Sequence, residues 1–217
     1  MAGSTPSEAY SAFIDSMNQA LFCVTAGGRL FTSGDRHNLQ VDEEYGVLLA
    51  GGGTAADDRE DGEPIRLNSD SHLWLGVAHT FVVKDDGPER TPYRISSIAY
   101  SYFFYDEVDH QRREVLAFQW NKNAHPPERS YPHLHVNSVI TSASPFGPRS
   151  PFRSDKFHDL HVPTRRLSLE AVLMFAIEEL KAETADNRSI ATVLGILREG
   201  DRGFHAERTQ TGWAHLP

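Results

Sequence analysis

The apolar positions change their spacing twice along the chain, and those changes set the predicted elements. Near the start, Phe13, Ile14, Met17, Leu21 and Val24 recur at steps of three and four, which lines one face of an α-helix. The punctuation agrees: Thr5 suits the N-cap, Pro6 the first helical position and Glu8 the third, a capping box. Gly27-Gly28 marks the predicted end. Residues 29–72 carry little pattern beyond a short apolar run, Tyr45 to Ala50, before Gly51-Gly52-Gly53 and the acids Asp57 to Asp61. From Leu73 the spacing falls to two: Leu73, Leu75 and Val77 alternate with Trp74, Gly76 and Ala78 in a strand ending at Val83. Further strands are predicted from Tyr93 to Tyr105 and from Arg113 to Trp120, joined by the polar turn Asp106–Gln111 as an antiparallel hairpin. A short strand at His133–Ile140 and an extended piece at His158–Val162 follow.

The three-and-four spacing then returns. Ser168 opens a helix whose face carries Leu169, Val172, Leu173, Ala176, Ile177 and Leu180, and a shorter helix, Ser189–Glu199, is predicted to stop at Gly200. The expected fold class is α+β: an antiparallel β-meander flanked by an N-terminal helix and two C-terminal helices. One domain over residues 1–217 is expected, with a mobile acidic, Gly-rich loop at about 51–63 and a Pro/Ser-rich loop at about 141–154. The glycine-rich turn at 51–53 lacks the Gly-Lys-Ser/Thr of a phosphate-binding loop, and the acids after it would repel phosphate.

Composition narrows the classes. The 217 residues include 12 Phe, 7 Tyr and 3 Trp, large apolar surfaces that a disordered chain lacks. No apolar run approaches the roughly 18–20 residues that span a bilayer. The N-terminal stretch has no basic segment leading into an apolar one, so it does not read as a secretory signal. A single cysteine, Cys23, excludes an intramolecular disulfide and fits a reducing compartment; the expected location is the cytoplasm. Cys23 lies on the apolar side of the first helix and reads as core packing.

Charge is uneven. The net charge of −9 argues against general nucleic-acid coating. Residues 1–110 hold 7 Lys/Arg against 18 Asp/Glu, whereas residues 121–166 hold 7 against 3. The one basic stretch coincides with a histidine-rich one, a pairing that suits an anionic substrate and also describes a solvated face.

His125, His133, His135, His158 and His161 fall in that stretch. In His133-x-His135 the two side chains share one face of a strand. Two imidazoles so placed can titrate as an acid–base pair near neutral pH, or share a metal ion. A divalent metal at His133/His135 would need a third ligand, with His125, His158, His161 or Asp159 the candidates; no His-Glu-x-x-His signature is present. Without a metal, one histidine would deprotonate a ribose 2′-hydroxyl and another protonate the leaving oxygen, with Arg153, Arg165 or Arg166 stabilising charge on the phosphate. Tyr100, Tyr102, Tyr131 and Trp120 could stack bases, or serve as strand residues in a core.

The order of these motifs resembles the TumE family of toxin components of bacterial toxin–antitoxin pairs. The resemblance covers about residues 100–173 and rests on five pieces. These are the Tyr-x-Tyr/Phe strand ending in Tyr105-Asp106, Phe118-x-Trp120, His125-Pro126, Tyr131-Pro132-His133-Leu134-His135, and Leu167-Ser168-Leu169-Glu170. Leu134 stands where the family carries a further histidine after Pro-His, and the insert from Ser142 to Lys156 and the first 90 residues lie outside the match. The resemblance implies a toxin-like protein acting on RNA, with an antitoxin-like protein partner. Three readings are open at this point: a histidine-dependent ribonuclease with His133, His135, His125 and His161 as acid–base residues and Arg153, Arg165, Arg166, Tyr131 and Trp120 on the substrate; a non-catalytic module binding a protein partner through the acidic N-terminal region; and a metal-dependent hydrolase.

Overall fold

The structure, a computed structural model, describes residues 2–25, 28–33, 39–50, 63–67, 73–87, 92–108, 111–124, 131–136 and 160–210. The loop at 141–154, and that at 51–63 except its last residue, lie outside these. The described residues form the expected α+β arrangement. The strands are β1 (Ala2–Gly3), β2 (Arg29–Ser33), β3 (Glu44–Ala50), β4 (Ile65–Arg66), β5 (Leu73–Asp85), β6 (Tyr93–Val108), β7 (Gln111–Asn121), β8 (His133–Val136) and β9 (Leu160–Pro163). The helices are α1 (Pro6–Leu21), α2 (Leu169–Glu178) and α3 (Ile190–Gln210). The sheet runs β2-β3-β5-β6-β7-β8-β9, antiparallel throughout, with β4 against β5 and β1 against β6.

One face of this sheet meets the helices. Leu75, Val77, Phe81, Tyr100, Tyr102, Phe104, Phe118 and Trp120 are buried with Phe13, Met17 and Leu21 of α1 and Val172, Leu173 and Ala176 of α2. Phe118 meets Phe175 of α2 edge-on at 5.3 Å, and Phe13 meets Phe81 at 5.5 Å. Aromatic pairs at these separations add directional preference to the burial itself.

The helix ends refine the expected boundaries. Thr5 caps α1 by accepting from the Glu8 N–H at 3.1 Å. The Glu8 carboxylate accepts from the Ser4 N–H at 2.9 Å, one residue earlier than a capping box has it. α1 ends at Leu21 rather than at Gly27-Gly28, because the chain tightens: Cys23 and Val24 donate to carbonyls three residues back, at 3.0 Å each. α3 runs through Gly200 to Gln210, against the expected stop. A Cβ at Gly200 would stand 2.9 Å from Glu170 Cγ of α2. Glycine there permits close approach of two helices and is not a C-cap.

The poorly patterned region before Leu73 contributes β2, β3 and β4, of which only the Tyr45–Ala50 run was visible as an apolar segment. Two register shifts interrupt the meander, one between Thr80 and Phe81 against β6, the other between Phe104 and Tyr105 against β7. At each shift one strand carries an extra residue, Ile98 in β6 and Val115 in β7. Beyond a bulge the side chains of the longer strand change faces.

Candidate functional site

His133 pairs with Gln119 and His135 with Ala117, whereas the intervening Leu134 pairs with Phe118 of the helix-facing core. Directly opposed residues share a face. The two histidines therefore lie on the sheet face turned away from the helices, and His161, opposite His135 on β9, joins them there. The His161 ring lies nearly parallel to that of His135, centroids 4.9 Å apart at 13°, and 4.8 Å from that of His133 at 56°. Tyr131 meets His133 edge-on at 5.7 Å. Strand pairing thus assembles three imidazoles and one phenol from two adjacent strands and the turn before them.

Each outer histidine has a different neighbour. His133 is buried, 6% exposed, and its Nδ1 lies 2.9 Å from the Tyr131 carbonyl oxygen. A carbonyl can only accept, so Nδ1 carries the hydrogen and a neutral ring keeps its lone pair on Nε2. His135 Nδ1 lies 3.6 Å from Glu114 Oε1, within ion-pair range when the ring is protonated. Glu114 reaches this face through the β7 bulge: Tyr105 pairs with Glu114, skipping Val115, which packs against the core. Strict alternation from Phe118 and Leu116 would have turned Glu114 toward the helices.

Other predicted residues lie elsewhere. Trp120 belongs to the helix-facing side, and Arg166 stacks on it there, guanidinium carbon 3.1 Å from the ring centroid. Arg165 pairs with Asp201 of α3 at 3.6 Å. The sheet separates Trp120 from the histidines, and the two arginines serve the helix layer. Tyr100 and Tyr102 are likewise buried on the helix side, stacked on each other at 5.0 Å. Tyr100 Oη accepts from the Leu167 N–H at 3.0 Å. Ser168 caps α2 by accepting from Ala171 N–H at 3.0 Å and donates to Asp201 at 2.8 Å. The Tyr-x-Tyr and Leu-Ser-Leu-Glu pieces therefore dock α2 onto the sheet. His125, Arg153, His158 and Asp159 lie outside the described residues.

The metal reading finds no ligand set here. Among the described residues no group of three His, Cys, Asp or Glu side chains is placed to hold a metal ion. In-plane lone pairs of two nearly parallel rings do not converge on one point, and a catalytic zinc takes three protein ligands.

The helix side holds its own ionisable groups, which the sequence reading did not single out. His79 is buried against Phe13; its Nε2 lies 2.9 Å from Ser97 Oγ and its Nδ1 3.5 Å from Tyr102 Oη. Burial, reinforced by the Arg166 charge, pushes its pKa down to about 4, so at neutral pH it is a neutral core residue. Burial also holds the Glu170 carboxyl above its ordinary range, despite hydrogen bonds from its own backbone N–H and from Ser16. Cys23 is buried, bonds the Gln19 carbonyl at 3.5 Å, and has its thiol pKa raised by burial, which suits packing rather than nucleophilic chemistry.

The chain matches no protein-family model, no curated protein and no solved structure.

Proposed function

We propose that this chain is a histidine-dependent ribonuclease, the toxin-like component of a bacterial toxin–antitoxin or defence module. The observation that carries this reading is the set of three imidazoles in ring contact on one sheet face, with different partners for His133 and His135. Ring contact of His161 with both limits their movement. The Nε2 lone pair of His133 takes the proton of a ribose 2′-hydroxyl, and that oxygen attacks the adjacent phosphorus. His135, protonated and oriented by Glu114, gives its proton to the departing 5′-oxygen. The products are a 2′,3′-cyclic phosphate and a free 5′-hydroxyl, and no metal takes part. Tyr131 stands beside His133 as a contact for the attacked nucleotide.

A cytoplasmic location suits an RNA substrate, and no described helix is long and apolar enough to cross a membrane. The acidic first half of the chain, 18 Asp/Glu against 7 Lys/Arg in residues 1–110, offers a surface for a basic antitoxin-like protein.

The test is cleavage of end-labelled single-stranded RNA in excess chelator by the wild type, His133→Gln and His135→Gln. Each substitution should slow cleavage by about 10²–10⁴-fold, the usual contribution of a positioned acid or base. A 2′-deoxy nucleotide at the cleaved position should block the reaction. Full activity in both variants, or none in the wild type, overturns the ribonuclease reading; activity abolished by the chelator transfers the site to a metal-dependent hydrolase.

A further inference from the structure

The face that carries the histidines continues across β7, β6 and β5, where aromatic and cationic side chains stand beside the carboxylates of Glu114 and Glu107. Trp74 pairs with Tyr105, and Tyr105 with Glu114, so the row leads from β5 to the carboxylate beside His135. Arg112 lies over the Trp74 ring, guanidinium carbon 3.8 Å from its centroid, and Arg66, paired with Trp74 from β4, lies at 5.5 Å. The Tyr105 ring leans over Gly76: a Cβ there would stand 3.1 Å from Tyr105 Cε2, so glycine lets the ring lie along the sheet. Phe103 follows at 6.1 Å from Tyr105. The Trp74 indole N–H is buried with no hydrogen-bond acceptor among the described residues.

We propose that Trp74, flanked by Arg112 and Arg66 and continued by Tyr105, is a stacking platform for an unpaired nucleotide of a single-stranded RNA substrate. The inference rests on the ribonuclease reading and extends it from the cleaved bond to the strand beside it. Unpaired bases are recognised by stacking on aromatic and guanidinium planes, and a sheet face displaying both is suited to it. Three strand spacings separate Trp74 from the histidine strand, about 14 Å, so the platform holds a nucleotide a short way along the chain from the cleaved one. Glu107 stands opposite Arg112 in the register and offsets part of the local positive charge. Stacking, more than net charge, therefore supplies the affinity.

The test compares Trp74→Ala, Trp74→Phe and Arg112→Gln with the wild type. Binding is read by anisotropy of a labelled, fully 2′-deoxy-substituted oligonucleotide, which cannot be cleaved, and turnover with the all-ribose strand and with a dinucleotide too short to reach the platform. Trp74→Ala should weaken oligonucleotide binding roughly 10-fold or more, the loss of one base stack. It should raise KM for the long substrate and leave dinucleotide cleavage unchanged. Trp74→Phe should restore much of the affinity, and Arg112→Gln, at an exposed position, should weaken binding several-fold without disturbing the fold. Wild-type binding in both Trp74→Ala and Arg112→Gln overturns the platform while leaving the ribonuclease reading intact. Binding that depends on Trp74, with no cleavage of either substrate by the wild type, overturns the catalytic reading and keeps the platform. Equal losses on the dinucleotide and the long strand mean that Trp74 acts through the fold, and this also overturns the platform.

Discussion

His79 and His135 sit on opposite faces of the same sheet, and each is matched to a polar partner by a β-bulge. On the helix side, the extra residue Ile98 lets Ser97 face His79, at 2.9 Å. On the other side, the extra residue Val115 lets Glu114 face His135, at 3.6 Å. The same backbone device serves two ends. Where helices seal the face, the partner is a neutral hydroxyl and the imidazole is kept neutral by burial. Where no described helix covers it, the partner is a carboxylate and two further imidazoles share the face. A histidine count ranks the residues by number along the chain; the face on which each one lands decides which partners it meets.

The largest test of this two-faced description uses neighbours in β6. Phe104 is fully buried among the helix-side residues, and Phe103 is half-buried on the histidine side. Phe104→Ala should destabilise the protein by about 4 kcal/mol, the usual loss for a buried aromatic, and Phe103→Ala by less than half of that. Urea midpoints of the two variants measure it. Equal losses would mean that the far face is packed as a second core, and the contrast between the faces would collapse.

A somewhat smaller effect tests the sealed face through the pH dependence of His79. His79 titrates near 4 in the folded protein, against about 6.5 when unfolded. Between these values the unfolded chain binds a proton that the folded chain refuses, so stability rises with pH across the window and is lost as pH falls through it. The His79 contribution to this loss is about 2 kcal/mol between pH 7 and pH 5 and about 3 kcal/mol by pH 4. Glu170 acts in the opposite sense: its raised folded pKa makes the folded state the better proton acceptor, so its contribution grows as pH falls toward the ordinary carboxylate range. Comparison with His79→Gln cancels the Glu170 part. The variant should lose the His79 slope, seen as converging urea midpoints at pH 7 and pH 5; an unchanged slope would place His79 outside the sealed layer.

Much of this arrangement was legible before the structure. Period-two spacing marked β5, β6 and β7, period-three-and-four spacing marked α1 and α2, and His-x-His put two imidazoles on one face because a strand must send both side chains the same way. What escaped has physical causes. β2 and β4 are short, five and two residues, so they carry too few apolar positions to show a period. Gly200 has the look of a helix terminator and is instead a contact point, a distinction made by Glu170 on another helix. Trp120 and Tyr102 are aromatic like Trp74 and Tyr105, but their parity with Phe118 and Phe104 sends them into the core. The bulges are the deepest loss: one extra residue reverses the parity, and nothing in the composition around Val115 announces it. Glu114 therefore reads as one more charge in a strand, and Arg165 and Arg166, near the histidines in sequence, belong to the helix side.

The smallest effects come from the two bulge partners themselves, and they should differ in kind. Ser97→Ala removes the hydroxyl beside a fully buried imidazole, which then has no partner for Nε2 from that strand. Stability should fall by about 1–2 kcal/mol, with RNA cleavage per folded molecule unchanged, since Ser97 faces away from the proposed cleavage site. Glu114→Gln removes a carboxylate from a partly exposed pair, and such pairs add little to stability, so its melting curve should shift by no more than about 0.5 kcal/mol. Its cost should appear in turnover: without the carboxylate beside it, the His135 ring is less well oriented toward the departing oxygen, so kcat should fall. Both variants are isosteric or smaller, so neither requires the bulge to move. If Glu114→Gln lowers stability as Ser97→Ala does and leaves kcat unchanged, the second bulge is architecture like the first, and the far face loses its claim to chemistry.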